Sequence, residues 1–72
     1  MKAENENLVS ELLEEITRVQ EMITEYKSLP KNAGLLAATM MQRDIIDAKC
    51  YLSDGDVIGI IKSLKLLKEY GN

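Results

Sequence analysis

The chain has 72 residues with a single cysteine and no histidine, and its formal net charge is −3. An intrachain disulfide and a Cys/His zinc site are therefore both excluded. A chain this short lies near the lower limit for a self-sufficient hydrophobic core, so tight helix packing or association with another subunit must add stability.

The first predicted element is an amphipathic helix over about residues 4–28. Its main apolar residues recur every three or four positions, which places them on one stripe of a helix. This stripe consists of Val9, Leu12, Ile16, Val19, Ile23 and Tyr26. We expect Leu8, Leu13 and Met22 to widen the stripe, and Arg18 to lie with the glutamates on a solvated face.

The second predicted helix covers about residues 33–52. Proline disfavours a helical conformation in the residue before it, so Pro30 separates the first two helices, and we expect Asn32 to cap the second. The face expected to point inward carries Gly34, Ala37, Ala38, Met41, Ile45, Ala48 and Leu52. Small residues at this spacing let a neighbouring helix approach closely. The residues predicted to make this close contact are Ala33, Gly34, Ala37 and Ala38.

The opposite side of the second helix is also largely uncharged. It carries Leu35, Leu36, Thr39, Ile46 and Cys50. A helix with apolar groups on two faces is not satisfied as a simple surface helix, so these five residues form a candidate interface. A homodimer built on this side is the preferred interpretation, and a different protein partner is the alternative.

The third predicted helix covers about residues 56–70. Gly55 is expected to end the second helix in a left-handed conformation, and Asp56 to cap the third. Gly71 is expected to stop the third helix. The side chains predicted to be buried are Val57, Ile60, Ile61, Leu64 and Leu67. Short connections make neighbouring helices antiparallel, so we expect a single all-α domain, an up-down-up three-helix bundle with short loops.

Residue types that support catalysis or metal binding are sparse. The sequence has no histidine, which is the commonest general base in enzymes. Cys50 is expected to behave as a small hydrophobic residue. Glu11, Glu14 and Glu15 lack the histidines of a di-metal bundle, and Asp54-Gly55-Asp56 lacks the remaining ligands of a calcium loop. We therefore expect a non-catalytic protein with no cofactor and no metal.

The charges are distributed unevenly along the chain. Up to Ser28 there are seven acidic and three basic residues, a net charge of −4, whereas the segment from Asp56 onward has three lysines and two acids, a net charge of +1. The acidic balance disfavours nucleic-acid binding. A small DNA-binding protein, with Lys62 and Lys65 of a helix-turn-helix on the outside, is retained as an alternative function.

No segment of the sequence resembles a membrane span or a secretory signal. No run of about 18 apolar residues occurs, and the N-terminus is acidic where a signal peptide is basic. A lone cysteine fits a reducing compartment. We expect a complete, soluble, cytoplasmic protein.

Two segments carry a resemblance. LPKNAGLLAATMMQRDI and the following DGDVIGIIKSLKLLKE are similar to stretches of small helical proteins encoded in bacterial and prophage genomes. The shared pattern is a Gly-Ala stretch, a helix, and a Gly-Asp-hydrophobic turn into a short final helix that ends in Leu-Lys. The resemblance covers about the last two thirds of the chain. It implies a bacterial or phage origin and transfers no active site, and a phage-encoded inhibitor of a host protein is a further alternative.

Overall fold

A computed structural model describes residues 4–71 of the chain and the side chains of residues 7–71. The elements are α1 (Glu4–Lys27), a short 3₁₀ helix (Pro30–Asn32), α2 (Leu35–Asp54) and α3 (Val57–Glu69). Each of the three α-helices contacts the other two. The predicted all-α three-helix bundle is confirmed.

The hydrophobic core runs along the line where the three helices meet. Its fully or nearly fully buried members are Leu12, Ile16, Val19 and Ile23 from α1, Ala38, Met41, Ile45 and Ala48 from α2, and Ile60, Leu64 and Leu67 from α3. Val9, Met22, Tyr26 and Leu52 are partly buried against this cluster. The predicted core stripe of α1 and the predicted inner face of α2 are thus confirmed.

Three residues predicted to be buried are exposed instead. They are Leu13, Val57 and Ile61. In α3 the buried face includes Gly59 and Ser63, which were not predicted. A Cβ atom on Gly59 would lie 2.3 Å from Cδ1 of Tyr51, so the tyrosine ring of α2 packs directly against the backbone of α3. This contact turns the Gly59 side of α3 toward α2 and leaves Val57 and Ile61 toward solvent.

The connection between α1 and α2 differs from the prediction at Asn32. Lys31 and Asn32 both adopt a left-handed backbone conformation, with φ of 59° and 60°. Asn32 therefore belongs to the 3₁₀ turn, and the N-cap of α2 is Gly34, which makes no side-chain capping bond. The predicted cap is wrong because the turn holds Asn32 in a left-handed conformation and α2 begins only at Leu35, two residues later than a helix capped by Asn32 would begin.

The connection between α2 and α3 follows the prediction. Gly55 is left-handed, with φ of 68°, and its N–H donates to the carbonyls at the end of α2. The carboxylate Oδ1 of Asp56 accepts a hydrogen bond of 3.0 Å from the backbone N–H of Gly59. Both residues therefore do what their types predict, and they hold α3 antiparallel to α2.

Candidate protein-interaction surface

The outward side of α2 presents the five residues predicted as an interface. All are exposed: Leu35, Leu36, Thr39, Ile46 and Cys50. Leu36 is 74% and Ile46 51% exposed, although the core beneath them is closed. With about 100° between successive residues, four of the five fall in one narrow arc, and Leu36 lies on the flank beside it.

We define the α2 stripe by the uncharged residues of this arc. It consists of Leu35, Thr39, Gln42, Ile46 and Cys50, all exposed. The thiol of Cys50 is free and accessible. Arg43 and Asp47 lie on the same flank as Leu36, and Lys49 lies on the opposite flank. The five residues of the stripe are uncharged, but charged residues border it on both sides.

The residues predicted to pack closely lie against α1 of the same chain. A Cβ atom on Gly34 would be 2.4 Å from the carbonyl oxygen of Tyr26 and 2.9 Å from its Cβ, so the two backbones nearly touch. Ala38 is buried and Ala37 is half-buried beside this point. Ala33 is exposed at the end of the 3₁₀ turn and lies outside the contact.

A second uncharged stripe, on α1, is not among the residues predicted from the sequence. We define the α1 stripe as Ser10, Leu13, Thr17, Gln20 and Thr24, all of which are exposed. Each follows a core residue by one position, and the charged residues of α1 mostly follow the core residues by two. A search for helical periodicity in uncharged residues, rather than in apolar ones, would have found it.

The two stripes lie beside each other on one side of the bundle. The charged flank of α1 points toward α3, because Arg18 binds the end of α3 and Glu11 lies 3.3 Å from Lys68. The other flank of α1 borders α2, since Lys27 lines a shallow groove together with Thr39, Gln42 and Arg43. Two basic side chains therefore lie where the two stripes meet. We call the combined α1 and α2 stripes the uncharged face.

Arg18 has a structural role that differs from the predicted solvated position. Its guanidinium Nη2 donates to the carbonyl of Leu67 at 2.8 Å and Nη1 donates to the carbonyl of Tyr70 at 2.9 Å. Its Nε donates to Oε1 of Glu15 at 2.9 Å. The last carbonyls of a helix have no partner within the helix, so Arg18 caps α3 from the middle of α1.

Tyr70 links the end of α3 to α2. Its hydroxyl donates a hydrogen bond of 2.5 Å to Oδ2 of Asp44. Burial, and then the hydrogen bond and negative charge of Asp44, raise the pKa of Tyr70 to about 12. A neutral phenol held in this way is a donor that stabilises the fold.

Three grooves on the described surface are small. They measure about 140, 250 and 180 Å³. Pockets for drug-sized ligands begin at roughly 300 Å³, so none of these three is large enough. Among the described side chains of residues 7–71, no three acidic or cysteine side chains gather where they would hold a metal ion.

Comparison with protein-family models, curated proteins and solved structures finds no match to this chain. The resemblance to small bacterial and prophage proteins stays a prediction. In the part of the chain that the structure describes, no helix combines the length and apolar character needed to cross a bilayer.

Proposed function

We propose that this protein is a small non-catalytic interaction module that forms a homodimer through the outward side of α2. The observation that carries the proposal is the exposure of Leu35, Leu36 and Ile46 above a core that is closed without them. Exposed apolar surface is unfavourable in water, and covering it on association is the main driving force between protein subunits.

A second copy is the occupant that fits the charges of this surface. Each copy carries a formal charge of −3, so two copies repel unless they meet where acidic residues are absent. The α2 stripe is free of charge along its length from Leu35 to Cys50. Two-fold association places the uncharged residues of this surface against each other and leaves Arg43, Asp47 and Lys49 at its rim. A cytoplasmic location, where the exposed thiol of Cys50 stays reduced, belongs to the same proposal.

The test is the molar mass in solution, measured by light scattering over roughly a hundredfold dilution. The wild-type protein is expected to have twice the monomer mass at high concentration. Ile46→Glu is expected to weaken the dimer about a hundredfold, because each of the two copies buries an uncompensated carboxylate. Ile58→Glu is the matched control, since Ile58 is an exposed isoleucine on α3 and the change in net charge is the same.

Circular dichroism of both variants serves as the control that they keep the helical fold. A folded wild-type monomer at every concentration would refute the dimer and make Leu35, Leu36 and Ile46 the surface for a different partner. Equal weakening by Ile46→Glu and Ile58→Glu would refute the assignment to α2.

A further inference from the structure

We infer that α1 exchanges between two copies of the chain, with the connection between α1 and α2 as the hinge. In this exchanged dimer, the α1 helix of each copy packs on α2 and α3 of the other copy. The contacts between the copies are those that the bundle already shows within one chain. The inference goes beyond the proposed function, because it needs no exposed apolar surface.

The connection between α1 and α2 has a strained backbone. Lys31 has φ of 59° and ψ of 29°, and Asn32 has φ of 60°, so two consecutive residues are left-handed. In this conformation the Cβ atom of an L-residue crowds a carbonyl oxygen of the backbone, and asparagine tolerates the conformation better than lysine does. The strain therefore lies mainly at Lys31.

No local interaction compensates for this strain. Residues 30–33 are all exposed, so none of them gains contacts with the core. In the part of the chain that the structure describes, the side chains of Lys31 and Asn32 form no hydrogen bond or ion pair. A strained backbone persists where the surrounding structure requires it. Here the requirement is the reversal of the chain, which brings Gly34 against the carbonyl oxygen of Tyr26.

The connection between α2 and α3 lacks this strain. Its left-handed residue is Gly55, which has no Cβ atom and adopts this conformation at little cost. The carboxylate of Asp56 then caps α3 by accepting a hydrogen bond from the N–H of Gly59. Relaxation of the backbone therefore favours the exchange of α1 and not of α3.

The strained connection opens without breaking either helix. Leu29 is already extended, with φ of −69° and ψ of 145°, as expected of a residue that precedes proline. When Lys31 and Asn32 become extended as well, residues 29–34 span up to ~20 Å. In this open form α1 leaves its own bundle as an intact helix, and both left-handed residues relax.

Exchange keeps the interactions that α1 makes. Its core side chains meet the same neighbours on a second copy: Leu12, Ile16, Val19 and Ile23. The two hydrogen bonds from Arg18 to the end of α3 form between the copies. The two forms differ in the relaxed hinges, which favour the dimer, and in the freedom lost on association, which favours the monomer. The fraction of exchanged dimer therefore grows with protein concentration.

The experiment refolds the chain from denaturant at about 1 mM, the order of the effective concentration that a short connection supplies. Light scattering then follows the molar mass after dilution. The wild-type chain is compared with Ile46→Glu, in which the proposed α2 dimer is weakened. The exchanged dimer is expected in both and is expected to dissociate slowly, because α1 must leave the core first. A dimer held by exposed side chains dissociates without unfolding.

Substitutions at Lys31 test the role of the hinge. Lys31→Gly is expected to lower the ratio of exchanged dimer to monomer about tenfold, because glycine removes the gain from relaxing each of the two hinges. Lys31→Ala is the matched control, since it removes the same charge and keeps the Cβ atom, and it is expected to leave the ratio unchanged. Isotope-filtered NMR of a dimer with one labelled copy is expected to show contacts between Arg18 of one copy and Leu67 of the other.

The outcomes separate this inference from the proposed function. A slowly dissociating dimer of Ile46→Glu that is reduced by Lys31→Gly, and not by Lys31→Ala, supports exchange of α1. Equal dimer in the two Lys31 variants overturns the inference, as does a dimer without NMR contacts from α1 to the second copy. A wild-type chain that forms only a rapidly dissociating dimer overturns the inference and leaves the α2 dimer in place. A chain that is monomeric throughout overturns both.

Discussion

Gly34 is the residue at which α1 and α2 come into backbone contact. A methyl group there would meet the carbonyl oxygen and the Cβ atom of Tyr26, neither of which can rotate away. Gly34→Ala is therefore expected to lower the free energy of unfolding by about 2 kcal/mol, the usual cost of overpacking. Chemical denaturation followed by circular dichroism measures this change.

Gly55→Ala provides the comparison for this variant. Gly55 has φ of 68° and nothing within 4 Å of a Cβ atom, so alanine there adds only left-handed backbone strain, about 1 kcal/mol. A loss for Gly34→Ala no larger than that for Gly55→Ala would contradict a tight contact at Tyr26.

The Tyr70 hydroxyl makes stability depend on pH at the alkaline end. Its pKa is about 12 in the fold against the ordinary value of 10.0, so the fold favours the neutral phenol. The resulting stabilisation is complete below pH 10 and is lost as the pH rises from 10 through about 12. Tyrosinate absorbance is expected to show a component titrating near 12 that disappears in Tyr70→Phe. Persistence of that component in Tyr70→Phe would assign it to another tyrosine.

Residue types predict backbone conformation well where a single local interaction determines that conformation. Gly55 and Asp56 have roles set by their own backbone and side chain, and both predictions are confirmed. Asn32 has the composition of an N-cap, but the left-handed turn that brings Gly34 against Tyr26 determines its conformation. That contact joins two elements, so a local pattern cannot show it.

At the scale of the elements, Arg18 joins α1 to the end of α3. Arg18→Ala removes two hydrogen bonds to backbone carbonyls and is expected to lower the free energy of unfolding by about 1–2 kcal/mol. This is less than a buried charged bond would contribute, because 37% of the Arg18 side chain is exposed. Thermal and chemical denaturation measure the loss.

Arg18→Lys tests whether the shape of the guanidinium matters. Lysine keeps the positive charge but lacks the planar fork that reaches two carbonyls at once, so an intermediate loss is expected. Wild-type stability in Arg18→Lys would show that charge alone is sufficient at this position.

Helix periodicity predicted which segments form helices better than it predicted which side of each helix is buried. The buried apolar side of α1 was clear from the sequence, because charged and apolar residues alternate regularly along this helix. In α3 the apolar residues surround much of the helix, so their pattern did not distinguish the buried side from the exposed side. The contact between Gly59 and the ring of Tyr51 determines which side of α3 is buried. The α1 stripe was missed because serine, threonine and glutamine resemble solvated residues in any hydrophobicity pattern.

At the scale of the whole molecule, short connections and three amphipathic segments were sufficient to predict the bundle. The candidate interface on α2 was predicted as one side of the helix, and the structure shows that all five of its residues are exposed. The position of the α1 stripe beside the α2 stripe needed the structure, because adjacency of two helix flanks depends on the rotation of both helices. Any surface that covers the uncharged face belongs to a second molecule, so it is found by measuring association in solution.

The capping of α3 by Arg18 also links regions that are distant in sequence. The carbonyls of Leu67 and Tyr70 are held by a residue 49 and 52 positions earlier in the chain. Helix ends normally fray on their own, and their amide protons exchange with solvent through small local openings. Here two carbonyls at the end of α3 are also bonded to the middle of α1, so opening of the last turn must break these bonds as well. Amide exchange at the carboxyl end of α3 thus depends on a side chain of the first helix.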